Sequence, residues 1–200
     1  MFKTLQEPEY IVCDGNQAIR TAVKQTWKNT LIQRCIFHLQ RYIIQRVSKH
    51  PKTEAGLDIY LLAISLGKVD TKVKMNNWIK KFSSKYKEHR EFINEISSKT
   101  YVNNNDPNDT LLVTTWSRHK KFKSAYNHIL FALKNNQLFH YLDTSVPNTS
   151  NEVEGGINAR LKELIRSHRG TTIDRKRLIV EWYLLSKSEG GIEAFIKRYF

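Results

Sequence analysis

Two acidic positions, far apart in the chain, have neighbours that suit chemistry. Asp14 closes the apolar run Tyr10-Ile11-Val12-Cys13 and is followed by Gly15. A short β-rich run stopped by Asp-Gly reads as a buried strand. The carboxyl edge of strands in open α/β sheets is where ligands collect. The same place suits a helix cap or an Asp-Gly turn, and read alone Asp14 fits the cap. Glu154 lies in Thr149-Ser150-Asn151-Glu152-Val153-Glu154-Gly155-Gly156. There Asn151 and Glu154 stand in capping-box spacing. That reading leaves the glycine pair unaccounted for, since each Gly inside a helix costs about 1 kcal/mol relative to Ala. A tolerated pair points to close approach of another backbone or of a polyanion. The local pattern leaves Glu154 with two open roles, a cap or a metal-binding carboxylate beside Asp14.

Cys35-Ile36-Phe37-His38 carries half the spacing of a zinc site. Four ligands are normally needed, and only Cys13 and scattered histidines remain to supply them. A packed thiol with a capping or substrate-facing His38 fits better. Arg160, Lys162, Arg166, His168, Arg169, Arg175, Lys176 and Arg177 surround the junction of two late helical patterns. Arg118, Lys120, Lys121 and Lys123 form a second basic set beside Trp116. Clustered after Glu154, the first set is expected to contact phosphates rather than form a plain solvated face. Trp116 and Trp182 are expected in the core.

The elements that must position these residues follow from apolar spacing. A helix is predicted over 18–27, a second strand over 30–35 and a second helix over 36–47. Strand, helix, strand, helix in under fifty residues is the pattern of parallel α/β structure. From 51 to 136 nearly everything reads as helix, with stripes Leu57, Leu61, Ile64, then Val73, Trp78, Phe82, then Phe122, Ala125, Tyr126, Ile129, Leu133. The polar run 103–109 reads as a loop, and 138–142 as a short strand or extended link. After Pro147 one helix carries Val153, Ile157, Leu161, Leu164 and Ile165 on one face and ends near Gly170. Asp174 is placed to cap another, whose run 178–185 is apolar all round and expected to be buried.

Lys and Arg outnumber Asp and Glu by 33 to 19, a formal charge of +14. That excess favours a polyanionic partner, because cations on phosphates release condensed counterions. The 200 residues, 40% hydrophobic, bury one substantial core or one core with an insertion. Two cysteines make no disulfide scaffold. No apolar run approaches the ~20 residues that span a bilayer, and the first residues lack a secretory signal. A reducing, cytoplasmic setting is expected, with nucleoid association in a bacterial host.

Val12-Cys13-Asp14-Gly15, Ile32-Gln33-Arg34-Cys35-Ile36-Phe37-His38, the run from Pro147 through Asn158, and His168-Arg169-Gly170 together resemble the Mutator-type insertion-sequence transposases. The resemblance implies an α/β, mostly helical chain: a partial RNase H-like catalytic core interrupted by an all-helical insertion. The fourth and fifth strands with their helices would fill 1–48, the insertion 49–147 and the closing helices 148–200. Three carboxylates would converge on divalent metal, Mg²⁺ or Mn²⁺. Asp14 matches the second and Glu154 the third, three residues after Asn151. Cys35 and His38 match a family signature of active-site or structural support. Two ions about 3.5–4 Å apart would activate water or a DNA 3′-hydroxyl and stabilise the leaving oxygen. Arg160, Lys162, Arg166, His168 and Arg169 would hold the DNA.

The family's first catalytic Asp belongs on an earlier strand, and no Asp precedes Asp14. Residues 2–7 read as the end of a helix entering the fourth strand, so the chain is expected to lack an upstream segment and to be inactive alone. Its expected partners are DNA, a second copy or an upstream transposase segment, and no membrane. The alternative is a basic, catalytically inactive DNA-binding protein derived from a transposase.

Overall fold

The computed structural model describes residues 6–101 and 112–188, with 190, 191, 193, 196 and 197 beyond them; the side chains of 101, 112, 152 and 154 are not described. The chain divides into two compact units, residues 1–150 and 151–200.

The first unit opens with β1 (Tyr10–Cys13), α1 (Gln17–Thr26), β2 (Leu31–Arg34) and α2 (Ile36–Val47). β1 and β2 pair in parallel, Tyr10 opposite Leu31 through Cys13 opposite Arg34. Both apolar runs are short because an Asp-Gly turn and a helix start follow at once. Asn16 begins α1, its Oδ1 accepting the Ala18 N–H at 2.8 Å. Val23 and Trp27 close over Cys13 and Ile32 as a small core of their own. Gln6 to Pro8 have no regular structure, so the expected helix tail is not found at Gln6 and Glu7, and residues 2–5 lie outside the described residues.

The larger core belongs to α2, α3 (Glu54–Leu66), α4 (Lys72–Glu88), α5 (Arg90–Asn94) and α6 (Lys120–Lys134). Ile36, Leu39, Ile43 and Val47 form the buried stripe of α2, at the spacing the sequence predicts. α3 turns the other way from expectation. Ile59, Leu62, Ala63 and Leu66 are buried while Leu57 and Leu61 lie about half exposed. This helix is apolar on most sides, and a packing partner rather than a stripe selects its face. The choice is fixed by α4, whose Trp78 stacks on Phe82 and donates Nε1–H to the Leu62 carbonyl at 2.9 Å. α6 buries Ala125, Tyr126, Ile129 and Ala132.

The region after α5 is not all helical. β3 (Ile96–Tyr101) and β4 (Leu112–Ser117) pair antiparallel, Ile96 opposite Ser117 through Tyr101 opposite Leu112. The expected loop at 103–109 lies outside the described residues. Residues 138–142 make no strand: Phe139 takes φ 72° and a 3₁₀ turn follows at His140–Leu142. Phe139 packs edge-on to Trp78, which accounts for its burial.

In the second unit, a wide π-helical stretch at Glu152–Asn158 runs into α7 (Ala159–Ser167), and α8 (Ile173–Lys187) follows. Gly170 between them takes φ 88°, a conformation that an L side chain resists. Thr172, not Asp174, caps α8, accepting the Arg175 N–H at 3.4 Å; Asp174 sits in the first turn. Leu178, Trp182 and Leu184 are about half exposed, so the apolar run of α8 is not the buried one expected. Trp116 is likewise about half exposed on β4, and the core tryptophans are Trp27 and Trp78.

Candidate active site at the ends of the parallel strands

β1 delivers Asp14 to the carboxyl edge of the parallel pair, exposed. Its Oδ1 accepts the Asn16 N–H at 2.8 Å. The cap of α1 is Asn16, so Asp14 shapes the turn without capping the helix. Gly15 takes φ 83°, and a Cβ there would lie 1.2 Å from Nη1 of Arg34. Only glycine lets that guanidinium lie over the turn. Arg34 ends β2 with its side chain buried, its N–H donating to the Gln137 carbonyl at 2.7 Å.

One residue on, three chain segments meet. The Cys35 N–H donates to the Cys13 carbonyl at 2.8 Å, and the Ile36 N–H to the Asn148 carbonyl at 2.8 Å. The fully buried Cys35 sulfur accepts the Ser150 N–H at 3.3 Å and lies 3.6 Å from Thr149 Oγ1. His38 Nδ1 stands 3.2 Å from the same sulfur. Burial pushes the Cys35 thiol up, but the Ser150 hydroxyl and N–H, the His38 N–H and the Thr149 hydroxyl outweigh it and bring the pKa to about 7. At Cys13 burial outweighs the Gly15 N–H and the Arg34 charge, and raises the thiol. A sulfur so enclosed is a hydrogen-bond hub, out of reach as a nucleophile. Among the described residues no third ligand joins Cys35 and His38 as a metal group.

Asn151 follows directly. Its backbone is helical, φ −59° and ψ −36°, and its side chain makes no cap hydrogen bond. The Asn151 side-chain half of the expected capping box is therefore not formed. The Glu154 carboxylate lies outside the described side chains. A Cβ added to Gly155 or Gly156 would meet nothing within 4 Å, so no close backbone approach accounts for the pair among the described residues.

Residues 3–103 match the family model of the Mutator-family transposases. The chain belongs to that family. Asp14, Cys35 and His38 fall inside the matched segment of this transposase-family chain, and Asn151 and Glu154 beyond it. Comparison with curated proteins and with solved structures gave no significant match.

The other predicted residues of this family member lie on α7 and just past it. Arg160, Lys162, Arg166 and Arg169 are exposed. Arg160 pairs with Glu163 at 3.2 Å, both fully in solvent reach, where such a pair holds weakly. His168 turns Nδ1 on the Leu164 carbonyl at 2.9 Å, closing the end of the helix. No helix of the described residues is long and apolar enough to cross a membrane.

Sequence reasoning passed over one acidic cluster. Asp58, Glu88 and His89 hold ligand atoms within 4.8 Å of one another. Lys85 already fills it, with Nζ 3.0 Å from Asp58 and 2.8 Å from Glu88, and His89 Nε2 lies 2.8 Å from Asp58. An ammonium at the centre repels a divalent ion, so this is an ion-pair network binding α3 to α4. Its sequence signal is absent, because the acids are 30 positions apart.

Proposed function

We propose that this transposase-family chain carries a DDE-type site that cleaves and transfers DNA strands with divalent metal. The observation that carries the reading is the junction of Cys13, Cys35 and residues 148–150. It ties the strand end bearing Asp14 to the segment that leads into Glu154. Glu154 is four residues beyond Ser150, and four residues of chain reach at most about 14 Å. In this reading residues 1–48 and 148–200 belong to an RNase H-like core, and 49–147 is its insertion.

Carboxylates are the hard oxygen donors that Mg²⁺ or Mn²⁺ takes, and an exposed Asp14 fixed by the Asn16 N–H suits that role. Asp14 and Glu154 would hold the ion, which supplies activation of the attacking oxygen and charge relief at the leaving one. Asp14 then needs no rearrangement to bind, because its turn is already set. Cys35, His38 and Asn151 position the entry to the Glu154 helix. Arg160, Lys162, Arg166 and Arg169 hold the strand. A further carboxylate is called for, and a separate transposase segment would bring it.

Calorimetry with Mn²⁺ on the purified chain tests the site. Wild type binds, and Asp14→Ala and Glu154→Ala each weaken binding roughly tenfold or more, the scale of a lost charged ligand. Equal affinity in all three overturns the reading. The net charge of +14 favours a second reading, a basic protein that holds DNA without chemistry. It predicts salt-sensitive DNA binding that Glu154→Ala leaves unchanged and Mn²⁺ does not affect.

A further inference from the structure

Next to Gly15 the first unit holds a partly open cavity of about 460 Å³ lined by Gly15, Gln17, Arg20, Arg34, Asn127, His128 and Phe131. A second of about 250 Å³ shares Gln17 and Arg20 with it and reaches Gln137. Arg34 is only 6% exposed. Its Nε and that of Arg20 are both buried and lack a hydrogen-bond partner, and so does Oε1 of Gln137. Neither guanidinium forms an ion pair among the described residues, and no carboxylate lines either cavity.

Buried cations are paired or bound in native proteins, because desolvating them alone is costly. Here a buried Arg34 and a partly buried Arg20 face one space whose lining holds no carboxylate. Arg20 rests on the Phe131 ring at 4.4 Å, and the Arg34 guanidinium lies packed over the Gly15 turn. The forks are therefore set before any ligand arrives. Guanidinium donors in a fixed fork suit a tetrahedral oxyanion. The larger cavity, set against about 30 Å³ per water, takes such a group with part of its hydration.

We propose that this cavity binds a phosphate of a DNA strand, next to the one that Asp14 addresses. The assignment rests on the DNA-acting role proposed above and extends it to Arg20 and Arg34, outside the basic helix. His128 reports on it. Its pKa is held down by burial and by the fields of Arg34, Arg46 and Arg20, and its ring stacks on Tyr42 at 3.9 Å. A phosphate between the arginines offsets their field and raises the His128 pKa.

The test is an NMR titration of the His128 ring in the full chain, in EDTA, with inorganic phosphate and then with a short single-stranded oligodeoxynucleotide. Both ligands saturably shift the resonance, phosphate raises the midpoint, and the oligonucleotide competes with phosphate. Arg20→Gln, on a partly buried residue of α1 and shown folded by circular dichroism, weakens both by roughly tenfold or more. Arg34→Gln does the same where circular dichroism shows it folded. Lys52→Gln, an exposed cation elsewhere, does not. Absence of a saturable shift overturns the proposal, as does a shift that Arg20→Gln leaves unchanged. A phosphate shift without competition by the oligonucleotide also overturns it, since the site then takes free phosphate only. Asp14→Ala keeps or strengthens phosphate binding here while weakening Mn²⁺ binding roughly tenfold or more, so the two proposals fail separately.

Discussion

The sulfur of Cys35 accepts the N–H of Ser150 at 3.3 Å, joining positions 115 residues apart. Because the same residue's N–H reaches the Cys13 carbonyl, one cysteine links the end of β1, the start of α2 and the entry to Asn151. Its thiol falls from 9.0 to about 7 as the donors around it outweigh burial. A lowered acid pKa adds stability as pH rises from the folded value to the unfolded one. The difference in Tm between wild type and Cys35→Ala should therefore widen from pH about 7 to about 9 and then level off. Melting curves across that range check it, and a difference independent of pH removes the thiolate from the account.

Gly15 and Arg34 are coupled by space. The turn needs φ 83°, and the guanidinium occupies the volume a methyl would take. Gly15→Ala meets both penalties, a left-handed backbone and an overpacked contact, so it should cost about 2 kcal/mol or more. Urea unfolding measures this. A loss below about 0.5 kcal/mol would mean that Arg34 moves aside and the turn also leaves its positive φ, since the usual cost of a disfavoured positive φ alone exceeds that.

Legibility in the sequence followed the strength of the local constraint. The β1–α1–β2–α2 unit was readable because two apolar runs end in turn residues and the stripe of α2 has a single apolar side. The buried face of α3 was not, since Leu57 and Leu61 match the helical period as well as Ile59 and Leu62 do, and only contact with Trp78 separates them. The β3–β4 pair was hidden for the opposite reason. Ser97, Ser98, Lys99 and Thr114 to Ser117 show no alternation of polar and apolar residues, as expected of a hairpin with much of its surface exposed. At the site, Asp14 and the Cys35–His38 pair could be named from spacing. The unpaired arginines could not, because a lining of Arg20, Arg34 and His128 comes from three elements distant in sequence.

Asp58 holds the α3–α4 network together through His89 and Lys85. Burial pushes its carboxyl up, but hydrogen bonds from His89 and Lys85 prevail and keep it below the usual range. Asp58→Ala takes the acceptor from His89 Nε2 and leaves Lys85 with Glu88 alone, and should cost about 1–3 kcal/mol. Because Lys85 already fills the centre, the loss in Tm should be the same in EDTA and in millimolar Mg²⁺. A metal-dependent difference between wild type and variant would reassign the cluster as a cation site.

The basic residues of α7 make the last prediction. Arg160, Lys162, Arg166 and Arg169 are exposed cations on or just after one helix, and each that meets a phosphate of duplex DNA releases about 0.9 counterion. Replacing any one by Gln should lower the slope of log K against log salt by about 0.9 where contact is made. His168 behaves differently, since Nδ1 is engaged with the Leu164 carbonyl. His168→Ala should fray the end of α7 and leave the slope unchanged. Fluorescence anisotropy with a labelled duplex, repeated over a range of salt, measures both effects. Slopes identical to wild type in all four cation variants would move the DNA path off this helix and onto other basic surfaces, with Lys120, Lys121 and Lys123 at the start of α6 the next to replace.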